Sequence, residues 1–449
     1  MASRCSSSTT GSRPVTTPAI AFITLGCPKN EVDTDRMRAI VLSSAYALAD
    51  DPETADIVVV NTCSFISDAT EESVATVLDV ATDWLPEREG RFIVVTGCMP
   101  ARYGDELAVA MPEVAAFVPI SEESCLLSVV ERLTGVPADV VSHAAAPLRT
   151  ACGPSAYLQV SDGCHRACAY CAIPAIRGPY VSRALDDIVA EAAELVSLGA
   201  RELVLIGQDI TAYGRDLETD EVLADVVRAV AAVPGADWVR LMYVQPDGVT
   251  DELLRAIAEN PNVVRYLDIP LQHAAEPVLR AMRRTGDSAD FLSLIARIRA
   301  VLPDVALRTT LIAGFPGETT ADVRETQRFL EVARFDVVGV FVYSPEDGTA
   351  AATMPGQIPL RTRRARAQRV RDTAEVIGFE RAAERVGRSV EVLVEGIDEE
   401  EGVIMGRWRG QAPEVDGVVL LDIGVPGQIV SATVVDSLGY DLECEAISS

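Results

Sequence analysis

With 449 residues the chain exceeds one ordinary domain, and two to four units are expected. A net charge of −28 argues against broad contact with phosphate backbones and favours a basic partner, unless the acidity serves only solubility. There is no apolar run of about 18 residues to cross a membrane, and Met1–Pro18 is rich in Ser, Thr and Pro without the apolar centre of a secretory signal, so it reads as a disordered leader. A cytoplasmic protein with no membrane partner is expected, and there clustered cysteines mean metal or catalysis.

The first elements alternate short apolar runs with helical patterns. The runs are Ala19 to Leu25, Ile57 to Val60, Phe92 to Val95 and Val114 to Ile120, with helices over Asp35 to Leu48 and Glu71 to Trp84. This predicts an open α/β domain with a parallel sheet over 19–148, ending in the loose stretch Ala144 to Thr150. A second series supplies six strands: Tyr157 to Val160, Glu202 to Ile206, Val239 to Tyr243, Val264 to Ile269, Ala306 to Leu311 and Val337 to Tyr343. Helices between them include Leu185 to Leu198 and Thr320 to Ala333. Six βα units predict a partial (β/α)6 barrel, with chemistry at the carboxyl ends of its strands. A basic helix, Arg361 to Arg385, closes this part over 150–385, and 386–449 reads as a small β-barrel.

Ten cysteines carry the argument further. Cys164, Cys168 and Cys171 follow the first barrel strand at C-x3-C-x2-C spacing. Three thiolates so spaced can hold three irons of a cubane cluster and leave the fourth open. Zinc is the alternative, and it would recruit a fourth ligand such as His165. Cys27, Cys63 and Cys98 are far apart in sequence, yet each directly follows an apolar run of the first domain. Equivalent positions at the ends of neighbouring parallel strands converge, which predicts a second three-thiolate cluster rather than three buried small hydrophobes. Cys5, Cys125, Cys152 and Cys444 show no such phase. Lys29, beside Cys27, is the one lysine among 39 basic residues, and its survival there points to a local requirement.

The run Gly163-Cys164-His165-Arg166-Ala167-Cys168-Ala169-Tyr170-Cys171, followed by six strands, resembles the radical S-adenosylmethionine (SAM) superfamily. The resemblance implies a 4Fe-4S cluster whose open iron binds SAM, with Tyr170 beside it. It also implies that Gln208 and Asp209, in Gly207-Gln208-Asp209, lie where the SAM amine binds, although a Gly-Glu form is commoner there. Leu311 to Glu318 resembles the glycine-rich strand near adenine, which makes Gly314 and Glu318 cofactor-binding candidates.

Three strand-end cysteines, a radical SAM barrel and a small β-module together resemble the methylthiotransferases over nearly the whole chain. That family implies two 4Fe-4S clusters, the second handling sulfur, and no side chain acting as acid or base. A reductant protein, a sulfur donor and a TRAM-like tail that recognises the substrate also follow from it. One branch modifies the tRNA adenosine next to the anticodon; another modifies the β-carbon of an aspartate in ribosomal protein uS12, free or in the small subunit. Gly26-Cys27-Pro28-Lys29-Asn30, Tyr266 to His273 and Gln411 to Gly417 resemble the uS12 branch. From Ser389 onward the only basic residues are Arg407 and Arg409, the wrong sign for tRNA and the right one for a basic ribosomal protein. The Arg-rich helix could touch RNA, or be an ordinary solvated face packed between domains. A non-catalytic iron-sulfur sensor or scaffold would instead carry four ligands per cluster.

Overall fold

The computed structural model describes residues 17–138, 147–150, 152–398 and 402–447. Residues 1–16 of the leader, Cys5, the start of the Ala144 to Thr150 stretch and the acidic residues Glu399, Glu400 and Glu401 lie outside them. The chain divides into two compact units, essentially 1–150 and 151–449. Among the described residues no helix is long and apolar enough to cross a membrane.

The first unit is built on β1 (Ala19–Thr24), β2 (Ala47–Leu48), β3 (Ile57–Thr62), β4 (Phe92–Gly97) and β5 (Ala116–Pro119), all parallel, in the order β2-β1-β3-β4-β5. β3 is buried along its length, so both faces must be apolar. Val58, Val60, Ile93 and Val95 feed one core, while Ile57, Val59 and Val94 feed the opposite one. One expectation is corrected. The helix assigned to Asp35 to Leu48 is Pro28–Leu42, and Ala47–Leu48 is a short edge strand. Pro28 pre-sets the first helical turn, so the helix starts directly after Cys27, where sequence periodicity is weakest.

The second unit contains β6 (Ser155–Gln159), a two-stranded ribbon of β7 (Ser161–Asp162) and β8 (Val181–Ser182), then β9 (Glu202–Ile206), β10 (Trp238–Leu241), β11 (Val263–Asp268), β12 (Ala306–Ala313) and β13 (Val337–Val342). Six of these form one parallel sheet, β13-β12-β11-β10-β9-β6, in sequential order as a partial barrel requires. β14 (Ser389–Ile397), β15 (Ile404–Trp408), β16 (Val419–Leu421), β17 (Ile429–Leu438) and β18 (Asp441–Ala446) close into a five-stranded barrel.

A buried ionic network fastens this barrel to the parallel sheet. Arg407 donates to Glu202 and Glu395, Arg240 donates to Glu202 from the other side, and Ser155 completes the set. Burial alone would raise the Glu202 carboxyl, but Arg240 and Arg407 overcome it and hold it down at about 2. The run Gln411 to Gly417 enters the same seam. Asp416 accepts hydrogen bonds from Tyr266 Oη (2.7 Å), Arg308 Nε (3.2 Å) and its own loop at Ala412 N (2.8 Å).

The basic helix, Leu360–Ala383, packs along the sheet edge and spends its arginines inward. Arg363 donates to Tyr343 O, Arg366 to Glu318 and Arg371 to Val340 O. Arg361, Arg364 and Arg369 remain exposed.

Candidate metal centres

Cys27, Cys63 and Cys98 stand at the carboxyl ends of β1, β3 and β4, three adjacent parallel strands. Asn30 binds their loops together. Its Nδ2 donates to Leu25 O (2.8 Å) and Thr62 O (3.1 Å), spanning the ends of β1 and β3. Its Oδ1 faces the thiols of Cys27 (4.0 Å) and Cys98 (3.8 Å). Asn61 supports it in turn, donating from Nδ2 to Asn30 O at 2.9 Å. Cys63 is held through its backbone, with its N–H on Ser73 Oγ (3.1 Å) and its carbonyl accepting from the same hydroxyl (2.8 Å). Gly26 makes room for this convergence. It sits at φ +95, and a Cβ there would fall 2.4 Å from Cys63 Cβ and 2.9 Å from its sulfur. Cys27 occupies the N-cap position of the Pro28–Leu42 helix. Lys29, two residues on, is buried. Asn61 and Ser73 carried no signal in the sequence, whereas Asn30 closes the run quoted around Cys27.

The second set rides on a loop closed at its base by the β7–β8 ribbon. Gly163 opens it at φ +66, where a Cβ would lie 2.0 Å from Pro179 O. Within the loop Arg166 N donates to Cys164 Sγ (3.3 Å), and Cys171 N to Cys168 O (3.2 Å). Ala169 pins the centre, its N–H on Met282 O and its carbonyl accepting from Ala351 N. Burial, and then the nearness of Cys168 and Cys164, pushes the Cys171 thiol up to about 12. Cys164 is raised too, by burial first and then by Asp209 and Cys168, against a lowering hydrogen bond from Arg166. Tyr170 rises well above its ordinary value, through burial first and Cys168 second, which places its phenol beside the thiols. Arg284 reaches Cys168 Sγ from outside the loop at 3.8 Å, and nothing in the sequence marked it.

Around this loop stand the other predicted residues. Asp209 is buried, takes Arg166 Nε at 2.6 Å on one oxygen and accepts from Thr211 N and Oγ1 on the other. Gln208 Nε2 is buried with no hydrogen-bond partner, an orphan donor at the end of β9. Glu318 is spent inside the fold. Its carboxylate accepts from Gly314 N (3.0 Å) and Arg366 Nη1 (2.9 Å) and lies 3.3 Å from His273 Nε2, so it shapes the turn carrying Gly314. Ala169 and Phe315 share one apolar cluster with Tyr170 packed against it, placing the cysteine loop and the glycine-rich strand at the same end of the sheet.

These residues suit an iron-sulfur cluster with SAM: three thiols on one loop that feel one another's charge, a phenol beside them and an unpartnered buried donor on the adjacent strand end. A mononuclear zinc site fits less well. His165, the fourth ligand that zinc would recruit, is exposed, its ring 6.3 Å from Tyr180.

Residues 158–330 match the family described as Radical SAM superfamily, 386–447 the TRAM domain, and 19–119 a family described only as Uncharacterized protein family UPF0004. "Ribosomal protein uS12 methylthiotransferase RimO" from Geobacter sulfurreducens is 42% identical over 441 residues, covering 96% of this chain and 98% of that protein. Its namesake from Anaeromyxobacter sp. (strain K) is 44% identical over 430 residues, covering 93% and 91%. The chain belongs to the RimO family. As a member of the RimO family it is a radical SAM methylthiotransferase, with an iron-sulfur cluster and SAM as cofactors. A solved structure of the radical SAM methyltransferase TsrM from Kitasatospora setae, with cobalamin and a [4Fe-4S] cluster bound, shares the fold at a TM-score of 0.54 and 14% identity. It covers 75% of this RimO-family chain and 77% of its own.

Proposed function

We propose that this enzyme replaces a hydrogen on the β-carbon of an aspartate in ribosomal protein uS12 with a methylthio group, in the cytoplasm. The observation that carries the reading is the alignment with uS12 methylthiotransferases over more than nine-tenths of the chain, together with two separate three-thiol sets at strand ends. Cys164, Cys168 and Cys171 would hold one 4Fe-4S cluster, which would supply reductive cleavage of SAM, and Cys27, Cys63 and Cys98 would hold a second, which would supply sulfur chemistry. Tyr170, beside Cys168, would flank that first cluster, and Gln208 offers its free N–H at the neighbouring strand end. Asp209 presents a carboxylate fixed by Arg166 and Thr211 for the SAM amine. Gly314 makes room for Arg363, whose Cγ a Cβ there would meet at 2.4 Å, and Glu318 holds the turn in place at the end of the strand proposed to lie near adenine. The divisions at 19–148, 150–385 and 386–449 then correspond to sulfur handling, radical generation and substrate recognition. A reductant protein and a sulfur donor complete the cycle.

Charge supports a protein rather than tRNA. Both basic residues of the tail are engaged, Arg407 buried on Glu202 and half-buried Arg409 on Glu391 and Pro261 O, while Glu414, Asp422, Asp436, Glu443 and Glu445 are exposed. The test is anaerobic. The enzyme is reconstituted with iron and sulfide, given SAM and reductant, and offered a uS12 loop peptide and unmodified tRNA in parallel, with mass spectrometry following replacement of H by SCH3. A modified peptide with untouched tRNA supports the reading. Modified tRNA alone overturns the substrate, and absence of SAM cleavage overturns the enzyme class in favour of a sensor or scaffold.

A further inference from the structure

The residues Phe65–Asp68 follow the Cys63 strand end almost directly, yet they cluster with 151–449 and not with the unit that carries Cys63. Glu346 holds them there. Its carboxylate is buried, and Oε1 accepts from Ser67 N (2.9 Å) and Ser67 Oγ (3.2 Å). Ser67 opens the helix Ser67–Asp79, and the first N–H groups of a helix lack partners of their own. A carboxylate at that end satisfies one of them and suits the helix dipole. Burial of a carboxylate is costly unless it is hydrogen-bonded, so Glu346 is committed to this helix start. Further along the same helix Ser73 bonds both the N–H and the carbonyl of Cys63. The backbone of Glu346 faces the other way. Its carbonyl accepts from Thr349 N (3.1 Å) and Oγ1 (2.7 Å), and in the same turn Ala351 N donates to Ala169 O (2.7 Å), between Cys168 and Cys171 in the chain.

We propose that Glu346 is a positioning residue that ties the Cys63 strand end to the loop of Cys164, Cys168 and Cys171, and so keeps sulfur transfer coupled to SAM cleavage. The inference rests on the reading of both thiol sets as cluster ligands. Glu346 acts through Ser67 and Ser73 on one set, and through Thr349 and Ala351 on the other. Each set needs only its own loop to hold iron, but transfer needs both in register, and a misplacement of about 1 Å can cost about 100-fold in rate. Releasing the clamp therefore separates the two activities.

The test uses the full-length enzyme. Hydrogen exchange of residues 64–70 is followed on the cluster-free chain, and iron content, 5'-deoxyadenosine and methylthiolated uS12 loop peptide are measured after reconstitution. Glu346→Ala is expected to speed exchange of that segment by about 10-fold or more. Iron content and SAM cleavage should stay within about two-fold of the parent, while methylthio product per 5'-deoxyadenosine falls by about 10-fold or more. Glu346→Gln keeps an acceptor oxygen for Ser67 and should remain within about three-fold of the parent on both readouts. Ser67→Pro removes both donors at a helix position that proline tolerates, leaves the Glu346–Ala351 turn alone, and should reproduce the uncoupling. Unchanged exchange in Glu346→Ala overturns the proposal, as does faster exchange with an unchanged product ratio. Loss of iron and SAM cleavage together with transfer in both Glu346→Ala and Ser67→Pro also overturns it, since the contact then serves folding alone. A parent that takes up iron at only one thiol set overturns the two-cluster reading and the proposal with it. If the parent modifies tRNA and not the peptide, the same ratio is read on tRNA, so the clamp is judged apart from the substrate.

Discussion

Gly26 and Asn30 are where single atoms decide whether the first thiol set can form. Gly26→Ala would place a Cβ against Cys63 and demand a left-handed backbone from alanine. Cys63 must then move while Cys164, Cys168 and Cys171 are untouched. The expected outcome is loss of roughly half the iron on reconstitution with SAM cleavage retained, read by iron analysis and 5'-deoxyadenosine formation. The same logic separates the two sets. Ala at Cys164, Cys168 or Cys171 should abolish SAM cleavage, whereas Ala at Cys27, Cys63 or Cys98 should spare it and stop methylthio transfer. Loss of both activities in both sets would show that the roles are not separable. All six cysteines were legible in the sequence because strand ends and tight spacing leave a local mark. Asn61, Ser73 and Arg284 were not, since each acts on a residue at least ten positions away and no local pattern announces such a partner.

At the scale of elements, strands were easier to read than helix starts. Continuous apolar runs located β3, β4 and β9 because a parallel strand is buried on both faces. The Pro28–Leu42 helix was displaced because its buried residues include Lys29, Asn30, Asp33 and Thr34, polar groups buried near the cysteines in place of an apolar stripe. The tail's docking was also invisible. Glu202 and Arg407 are 205 residues apart, and each alone reads as a surface charge. Glu202→Gln would leave Arg240 and Arg407 buried against a neutral amide, costing about 3–5 kcal/mol as broken buried pairs do. A lower melting temperature and faster proteolysis of the tail near Ser389 should report it. The pH dependence has a definite sign. The folded Glu202 is held at about 2, below its ordinary 4.5, so its contribution is complete above about pH 5 and fades as pH falls toward 2. The stability gap between parent and Glu202→Gln should therefore close over that acid range and stay constant above it.

For the whole molecule, charge is the property that selects partners, and the fold sharpens what the composition only outlined. Counting residues gave the tail two arginines, but Arg407 is buried on Glu202 and Glu395 and Arg409 is paired with Glu391, so neither offers an uncompensated positive charge at the tail's surface. The Arg-rich helix changes in the opposite sense. Arg363, Arg366 and Arg371 bond to the sheet edge and its neighbouring turn, leaving less positive surface for RNA than the sequence displays. Both shifts move the balance from nucleic acid toward a basic protein. If the acidic barrel surface attracts the substrate, binding of a uS12 loop peptide should weaken steadily as salt rises, since exposed charges are screened within about 10 Å at 0.1 M. Replacing Asp422, Asp436 and Glu443 with Lys changes the tail by six charge units on exposed positions, away from the Glu202–Arg407 seam. That variant should bind the peptide about 10-fold or more weakly and should gain salt-sensitive affinity for tRNA. SAM cleavage, which depends on the other end of the same unit's chemistry, should persist. A peptide affinity indifferent to both salt and charge reversal would locate recognition in shape and apolar contact, and the acidity of the tail would then serve solubility alone.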